Sequence, residues 1–375
     1  MTFTIDHSDG TTMARAGTIA LPHGVVQTPA FMPVGTAGAV KGAFHSDIYE
    51  LGYRLMLANT YHLYLRPGTD VIEESGGLHR FTGWHGNLLT DSGGYQIFSL
   101  SDFRKLRDDG VEFRSHIDGS YHTLTPESVV GIQEVLGSDI QMVLDVCTGY
   151  DASRSEAEQA VELTTKWAAR ARRAWERCGS DYAGVAFGIV QGHFHPDLRR
   201  RSASEIVELD FPGYALGGLS VGEPFDLFRE TMVETARFLP WDRPRYVMGI
   251  GTPEYVLEAI GSGVDMFDCV FPTRIARNGT VFTRDGRIAL KNERFRYDFG
   301  PIDPEWSADS VREYSRAYVR HMLMSREMIG PMIGTLHNLG FLARLVAEAR
   351  AAIARGDFDE FRTDFLRRYA GSADE

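Results

Sequence analysis

Cysteine is scarce in this chain: Cys147, Cys178 and Cys269 are the only three, and no C-x-x-C occurs. They make no paired framework, which excludes a disulfide scaffold and points to a reducing, cytoplasmic compartment. Long apolar runs are missing, so no membrane span is expected. The N-terminus lacks the charged-then-apolar pattern of a secretory leader. No internal repeat or low-complexity segment is visible. Positive charge is in deficit, with 39 Lys and Arg against 51 Asp and Glu, a net charge of −12. That balance argues against indiscriminate nucleic-acid binding but leaves room for a local basic patch.

What remains is an ordinary globular composition, 43% hydrophobic and 24% charged over 375 residues. Such a length fits one large domain or two ordinary ones. Residues 1 to about 35 alternate apolar and polar around Ser8-Asp9-Gly10 and Pro22-His23-Gly24, which reads as a β-hairpin or small antiparallel sheet. A rhythm of apolar strand, loop and helix follows. Strands are predicted near Thr28–Val34, Arg54–Asn59, Asn87–Asp91, Asp139–Asp145, Gly184–Gln191, Gly213–Gly217, Arg245–Ile250 and Val264–Val270. The clearest amphipathic helix is Ser153–Cys178, with Ala160, Leu163, Trp167, Ala168 and Ala171 at helical spacing. Thr125-Pro126-Glu127 and Thr252-Pro253-Glu254 each read as N-cap, first-turn proline and first-turn acid. Eight strands alternating with helices over about 250 residues predict a (β/α)₈ barrel, with an open doubly wound sheet as the alternative. Residues 280–297 read as a short β excursion and 305–354 as helices. The tail Gly371–Glu375 is expected to be disordered.

The chain is organised around Asp265-Met-Phe-Asp-Cys-Val-Phe-Pro-Thr-Arg274, an apolar strand that ends where the chain must leave the sheet. Asp268 lies within the apolar run, where an unpaired carboxylate is expensive. From Pro272 to Arg296 come seven Lys or Arg against two acids. A strand delivers a carboxylate and the next loop delivers positive charge, as an enzyme acting on an anion requires; a solvated basic face is the plainer alternative. In a barrel the active site lies at the C-terminal strand ends. Those ends carry Asn59–His62, Asp91–Gln96, Asp145–Cys147, Gln191-Gly192, Gly217–Leu219, Gly249–Gly251 and Asp268. A single strand-end Asp is commonly a loop cap, but three of them, a carboxamide and several glycines converge here. Glycines let the backbone approach a flat ligand, and Tyr95 can stack on it. Paired carboxylates serve glycosidic chemistry, one attacking the anomeric carbon and the other shuttling the proton. Carboxylates with a Gln also match the donor edge of a guanine-like base.

Asp91-Ser-Gly-Gly-Tyr-Gln96, Phe187-Gly-Ile-Val-Gln191-Gly192, Gly217-Gly-Leu-Ser-Val-Gly-Glu223, Met248-Gly-Ile-Gly-Thr-Pro253 and Asp265–Arg274 resemble the bacterial tRNA-guanine transglycosylase (queuine tRNA-ribosyltransferase) family. So do Arg277-Asn-Gly279 and Tyr314-Ser-Arg-Ala-Tyr318, and the match is collinear over nearly the whole chain. The resemblance implies an α/β fold: a (β/α)₈ TIM barrel, an N-terminal antiparallel hairpin or sheet, and a C-terminal β/α insertion subdomain that binds zinc in the family. It implies one domain, 1–375, with a barrel core at about 28–270, an inserted subdomain at about 271–335 and closing helices at about 336–370. The implied activity replaces guanine at the wobble position of GUN-anticodon tRNAs with a 7-deazaguanine, preQ1 in bacterial members, in queuosine biosynthesis. Asp268 would be the nucleophile on ribose C1′ and Asp91 the general acid/base. Asp145, Gln191, Gly218 and Leu219 would bind the base, beside Cys147, and Tyr95 and Met248 would sandwich it. Thr273, Arg274 and Arg277 would hold the tRNA. A homodimer is implied, with Phe81, Tyr314, Tyr318 and His321 at the contact or, alternatively, packed in the core.

Three departures from the family pattern stand out. Trp306, Ala308 and Val311 occupy the positions of its three zinc-binding cysteines, and only His337 of that set remains. One imidazole cannot hold zinc tetrahedrally, so no metal or other cofactor is expected, and His337 reads as a satisfied core or capping residue. Glu305, Asp309 and His321 could recruit a metal, but their spacing does not demand one. Val146 replaces an expected acid, and Ser220 the usual bacterial Ala; Cys147 and Val221 match the bacterial pattern. Two other functions fit these residues: a paralogue exchanging 7-deazapurines in DNA or using another base, and a non-catalytic tRNA-binding subunit. Retention of Asp91, Asp145 and Asp268 speaks against the second.

Overall fold

A computed structural model describes residues 1–100 and 103–371. Strands β1 (Thr2–Ser8), β2 (Arg15–Leu21) and β3 (Gly24–Thr28) form the expected N-terminal antiparallel sheet. The eight predicted barrel strands follow: β4 (Ala30–Met32), β5 (Leu55–Ala58), β6 (Asn87–Thr90) and, after an insertion, β10 (Ile140–Met142), β11 (Val185–Val190), β12 (Gly213–Leu216), β13 (Arg245–Val247) and β14 (Met266–Asp268). They pair in parallel in the order β4-β14-β13-β12-β11-β10-β6-β5. A parallel bridge between Val34 and Leu57 joins the two ends. Leu57 N–H donates to Pro33 O at 3.0 Å and Gly35 N–H to Leu57 O at 2.7 Å. The sheet therefore closes on itself and the open-sheet alternative falls.

The insertion was not read from the sequence. Strands β7 (Arg104–Arg107), β8 (Gly110–Arg114) and β9 (Tyr121–Leu124) form an antiparallel sheet after β6. Strand β7 is wholly exposed, and only Val111, Phe113 and Leu124 supply a buried face. So polar a ribbon resembles a loop.

Helix Arg154–Trp175 realises the predicted amphipathic segment, with Ala160, Trp167, Ala168 and Ala171 buried and Ser153 as its N-cap. The two Thr-Pro starts are also helix starts, at Pro126 and Pro253. Only Thr125 makes the side-chain cap, accepting from Ser128 N–H at 3.1 Å.

The N-terminal sheet lies across the floor of the barrel, at the N-terminal strand ends. Its main bolt is Arg15, whose guanidinium meets both carboxylate oxygens of buried Asp265 at 3.0 and 2.6 Å. Asp265 also accepts the Arg245 N–H at 2.7 Å. Removing one partner of so buried a pair costs about 3–5 kcal/mol.

After β14, strands β15 (Thr280–Thr283) and β16 (Gly286–Ala289) form the expected β excursion, which ends earlier than residue 297. The helices are Arg316–Met324, Ile329–Arg355 and Phe358–Ala370. Residues 305–315 are not helical, apart from one turn at Asp309–Val311. Asp303 accounts for this, because its carboxylate caps Glu305 and Trp306 N–H groups at 2.7 Å each. Such an Asx turn competes with helix. Val281, Leu290, Ile302, Val311, Val319 and Ile333 are among the residues that build a second core, separate from that of the barrel. The last helix is C-capped at Gly371; the rest of the tail, residues 372–375, for which disorder was expected, lies outside the described residues.

Candidate functional site

Parallel strands place their C-terminal residues around one mouth. Asp91 follows β6 and is buried. Its Oδ2 accepts from Asn59 Nδ2 at 2.5 Å and Gln96 Nε2 at 2.7 Å, and its Oδ1 from Thr60 N–H at 2.9 Å. Burial pushes its carboxyl up to about 6, against the pull of these three donors; the charge of nearby Asp268 adds to the rise. A carboxyl held there exchanges a proton readily near neutral pH.

Asp145, beyond β10, is half-buried. Its Oδ2 accepts from Gln191 Nε2 at 2.7 Å and its Oδ1 from Ser92 Oγ at 3.3 Å. Burial raises it to about 6 as well. Gly217 and Gly218, after β12, press on Gln191. A Cβ at Gly217 would sit 2.6 Å from Gln191 Nε2, and one at Gly218, which has φ +64°, 2.4 Å from Oε1. A side chain at either position would displace Gln191, and at Gly218 the positive φ also favours glycine.

Asp268 ends β14. Its Oδ1 accepts from Tyr246 O–H at 2.5 Å and Gly249 N–H at 3.0 Å. No group among the described residues donates to Oδ2, which leaves that oxygen available. Burial raises this carboxyl too, and the Tyr246 hydroxyl is the main force holding the rise back. Cys147 and Cys269 are both pushed up to about 12 by burial, with Asp145 and Asp268 respectively adding to the effect. Both remain thiols at neutral pH.

Tyr95 is 52% exposed and Met248 half-buried, while Leu219 and Gly218 are buried in the β12 loop. A cleft of about 610 Å³ leads back from Gly94, Asp145 and Cys147 toward Phe98 and Arg104. In the helix Phe271–Arg277, Arg274 is exposed and Arg277 half-buried. Arg277 Nη1 has no hydrogen-bond partner and neither arginine an ion pair among the described residues. Thr273 is buried and donates its hydroxyl to Val270 O at 3.2 Å, so of these three the arginines offer the free donors. Farther along the basic stretch, Arg284 pairs with Glu305 and Arg296 with Glu293.

Sequence reading missed Tyr246, Glu223 and Arg199. Glu223 takes Ser220 N–H at 2.5 Å and Val221 N–H at 2.8 Å. Ser220, at φ +59°, donates its hydroxyl to Gly249 O at 3.1 Å. The β12 loop is thereby tied to the residue that holds Asp268. Arg199 is fully buried and bonds the carbonyls of His193 at 2.7 Å, Gly217 at 2.7 Å and Gly218 at 3.3 Å. It locks the loops after β11 and β12 together from beneath.

The four positions at which the family pattern has zinc ligands form no donor set. Trp306 packs on Phe341 and Phe365 with ring centroids 5.1 and 5.6 Å away. Ala308 and Val311 are apolar, and Val311 belongs to the second core. His337 is buried and held neutral, with burial pushing it down to about 4; its Nε2 bonds Phe282 O at 2.7 Å. Its Nδ1 has no hydrogen-bond partner, so this histidine is only half satisfied. Zinc does not fit side chains that include no second ligand.

The paired carboxylates make a test of the pocket. A buried acid with a raised value binds its proton more tightly folded than unfolded, so stability falls as pH rises from about 4 to 6. Asp145→Asn removes that penalty. The variant is expected to be up to about 3 kcal/mol more stable than the parent at pH 7.5, with the gap shrinking to about 1 kcal/mol at pH 4.5. Urea unfolding at the two pH values measures it; a gap that is constant with pH contradicts the raised Asp145.

The sequence model of the family described as "Queuine tRNA-ribosyltransferase" matches residues 9–371. A protein of that name from Pelotomaculum thermopropionicum is 51% identical over 371 residues, 99% of both chains. Another from Desulforudis audaxviator is 53% identical over 364 residues, 97% of both chains. A third, from Borrelia hermsii, is 51% identical over 367 residues, 98% of both chains.

Proposed function

Since this chain belongs to the queuine tRNA-ribosyltransferase family, we propose that its mouth exchanges guanine at the wobble position of GUN-anticodon tRNAs for preQ1 or a closely related 7-deazaguanine. It is a glycosyltransferase, a pentosyltransferase of queuosine synthesis, and its macromolecular substrate is tRNA. One observation carries the mechanism: Asp268 has one oxygen fixed by two donors and the other free, on the same mouth as Asp91 and the Asp145–Gln191 pair.

The free Oδ2 of Asp268 attacks ribose C1′ as the C1′–N9 bond breaks, giving a ribosyl ester and guanine. Asp91, poised near 6, returns a proton to the leaving base and later takes the N9 proton of the incoming one. The second base displaces Asp268 from the opposite face, so configuration is retained overall. Asp145 accepts from the N–H edge of the base, and Gln191 and the backbone of Gly218 and Leu219 complete its recognition. Tyr95 and Met248 cover the faces of the flipped base. Arg274 and Arg277 hold the phosphates, and Thr273 braces the helix that presents them. The cleft beyond Cys147 has room for a small 7-substituent.

The three unpaired cysteines fit a cytoplasmic enzyme. No helix among the described residues is long and apolar enough to cross a membrane. We assign the dimer contact to Phe81 and Tyr318, 42% and 39% exposed, with exposed His321 and with Tyr314 stacked on Tyr318. Exposed aromatics of this kind favour an interface over the core-packing alternative.

We also assign the C-terminal subdomain to apolar packing in place of zinc. Trp306→Ala should then cost about 3–5 kcal/mol in chelator-containing buffer. Added zinc should restore none of it; restoration would show a latent metal site there.

Incorporation of labelled guanine into a GUN-anticodon tRNA transcript, competed by preQ1, tests the function. Label in tRNA but not in a matched DNA hairpin is expected. Label in DNA alone would favour the DNA paralogue, and none in either would favour the binding subunit.

A further inference from the structure

In the exchange proposed above, guanine leaves and a second base enters while the ribose stays bonded to Asp268, so RNA lies across the mouth during this traffic. Strand order fixes the side on which that RNA sits. Strand β14 carries Asp268 and leads into the arginine-bearing helix Phe271–Arg277. Round the closed barrel, β14 is four strands from β10 in either direction. Asp145, beyond β10, therefore stands across the mouth from Asp268. The edge of the base that Asp145 reads points away from the RNA.

The cleft of about 610 Å³ begins at that far edge, at Gly94, Asp145 and Cys147. It runs outward between the ribbon of β7 and β8 and the helix Arg154–Trp175. Ile97, Val111, Leu163 and Trp167 make its walls apolar. Val146, standing where an acid was expected, keeps charge out of the inner wall. The outer lining includes Glu156, Gln159 and Lys166, all exposed, so the cleft connects the base pocket with solvent. Along it Arg104, Arg107 and Lys166 balance Asp108, Glu156 and Glu162, which leaves no net positive charge to hold phosphates. Its volume lies in the range of small-ligand clefts, about 300–1,000 Å³, and its apolar and aromatic walls suit a flat heterocycle. The two walls are braced against each other. Trp167 Nε1 donates to Asp108 O at 3.0 Å and Arg170 Nη1 to Asp109 O at 3.1 Å.

We propose that this cleft is the passage for the free base. Guanine leaves, and the 7-deazaguanine enters, between the β7–β8 ribbon and helix Arg154–Trp175 while the RNA remains bonded at the mouth. The proposal rests on the base-exchange reading. Without RNA, the open mouth admits a base directly. With the ribosyl ester in place, the cleft is the remaining route. It then governs the rate of exchange and not the affinity of the RNA-free protein for the base. The plainer arrangement is a solvent-filled cleft that carries no traffic.

Blocking the cleft tests this. Gln159→Trp puts an indole into its outer part from an exposed helix position, where substitutions cost little stability. Leu163→Trp fills it deeper. Arg173→Trp, exposed farther along the same helix and outside the cleft, is the control. Turnover of labelled guanine into GUN-anticodon tRNA should slow at least about 10-fold in both cleft variants, with the KM for tRNA unchanged, because base release then limits turnover. Calorimetric titration of the RNA-free protein with guanine should give the parental affinity in both. Arg173→Trp should match the parent in both measurements. Parental exchange rates in Gln159→Trp and Leu163→Trp overturn the passage. So does a loss of RNA-free guanine affinity in proportion to the loss of rate, or equal slowing in Arg173→Trp. A parent that places no guanine in tRNA overturns the base-exchange reading itself, and the passage with it.

Discussion

Asp268→Asn is expected to lower base exchange by at least about 10⁴-fold, the scale on which removing a nucleophile acts. The reason is geometric. Tyr246 O–H and Gly249 N–H fix Oδ1, so an amide can keep its oxygen there with the fold undisturbed. What it puts at the other position is an NH₂ that cannot attack C1′. Both nearby thiols stay protonated, so neither takes over the attack. Binding should survive, because Arg274, Arg277, Asp145 and Gln191 are untouched. Single-turnover exchange with labelled guanine measures the loss, and a nitrocellulose filter assay measures tRNA affinity. Exchange persisting in both Asp268→Asn and Asp268→Ala would remove the nucleophile from the account.

Asp91→Asn is expected to reduce turnover by about 10²–10⁴-fold with a much smaller change in the KM for guanine, the range typical of lost general acid–base catalysis. Asp91 alone joins three donors from Asn59, Thr60 and Gln96 at a carboxyl held near 6. The parent should lose activity as pH falls through about 6, as Asp145 takes up a proton and no longer accepts from the base, while Asp91, which must both give and take a proton, works best near its own value of about 6. In Asp91→Asn the dependence due to Asp91 disappears, while Asp145 still sets the acid limit. A variant with an unchanged rate, or with a proportionate rise in KM instead, would make Asp91 a loop cap only.

The barrel was legible because buried parallel strands read as short apolar runs, and each of the eight runs became a strand. The mouth was legible for the same reason: Asp91, Asp145, Gln191 and Asp268 each break or end such a run. What was not legible depends on partners distant in sequence. Tyr246 looks like one more apolar residue of β13 until β14 places Asp268 beside it. Arg199 lies in a polar helix, and nothing local says that it turns inward to carbonyls of two strand-end loops. Strands β7–β9 escaped because their exposed faces are as polar as a loop. Residues 305–315 were read as helix because the Asx turn at Asp303 is a matter of side-chain direction, which periodicity does not record.

The most direct measurement of the central claim is to trap the ribosyl–enzyme. GUN-anticodon tRNA is mixed with the protein, quenched in denaturant without a second base, and resolved by size under denaturing conditions. The account predicts a covalent protein–tRNA species that forms with the parent, is discharged by added guanine or preQ1, and is absent from Asp268→Asn. Base exchange without any such species, or a species that still forms when residue 268 carries no carboxylate, would contradict it.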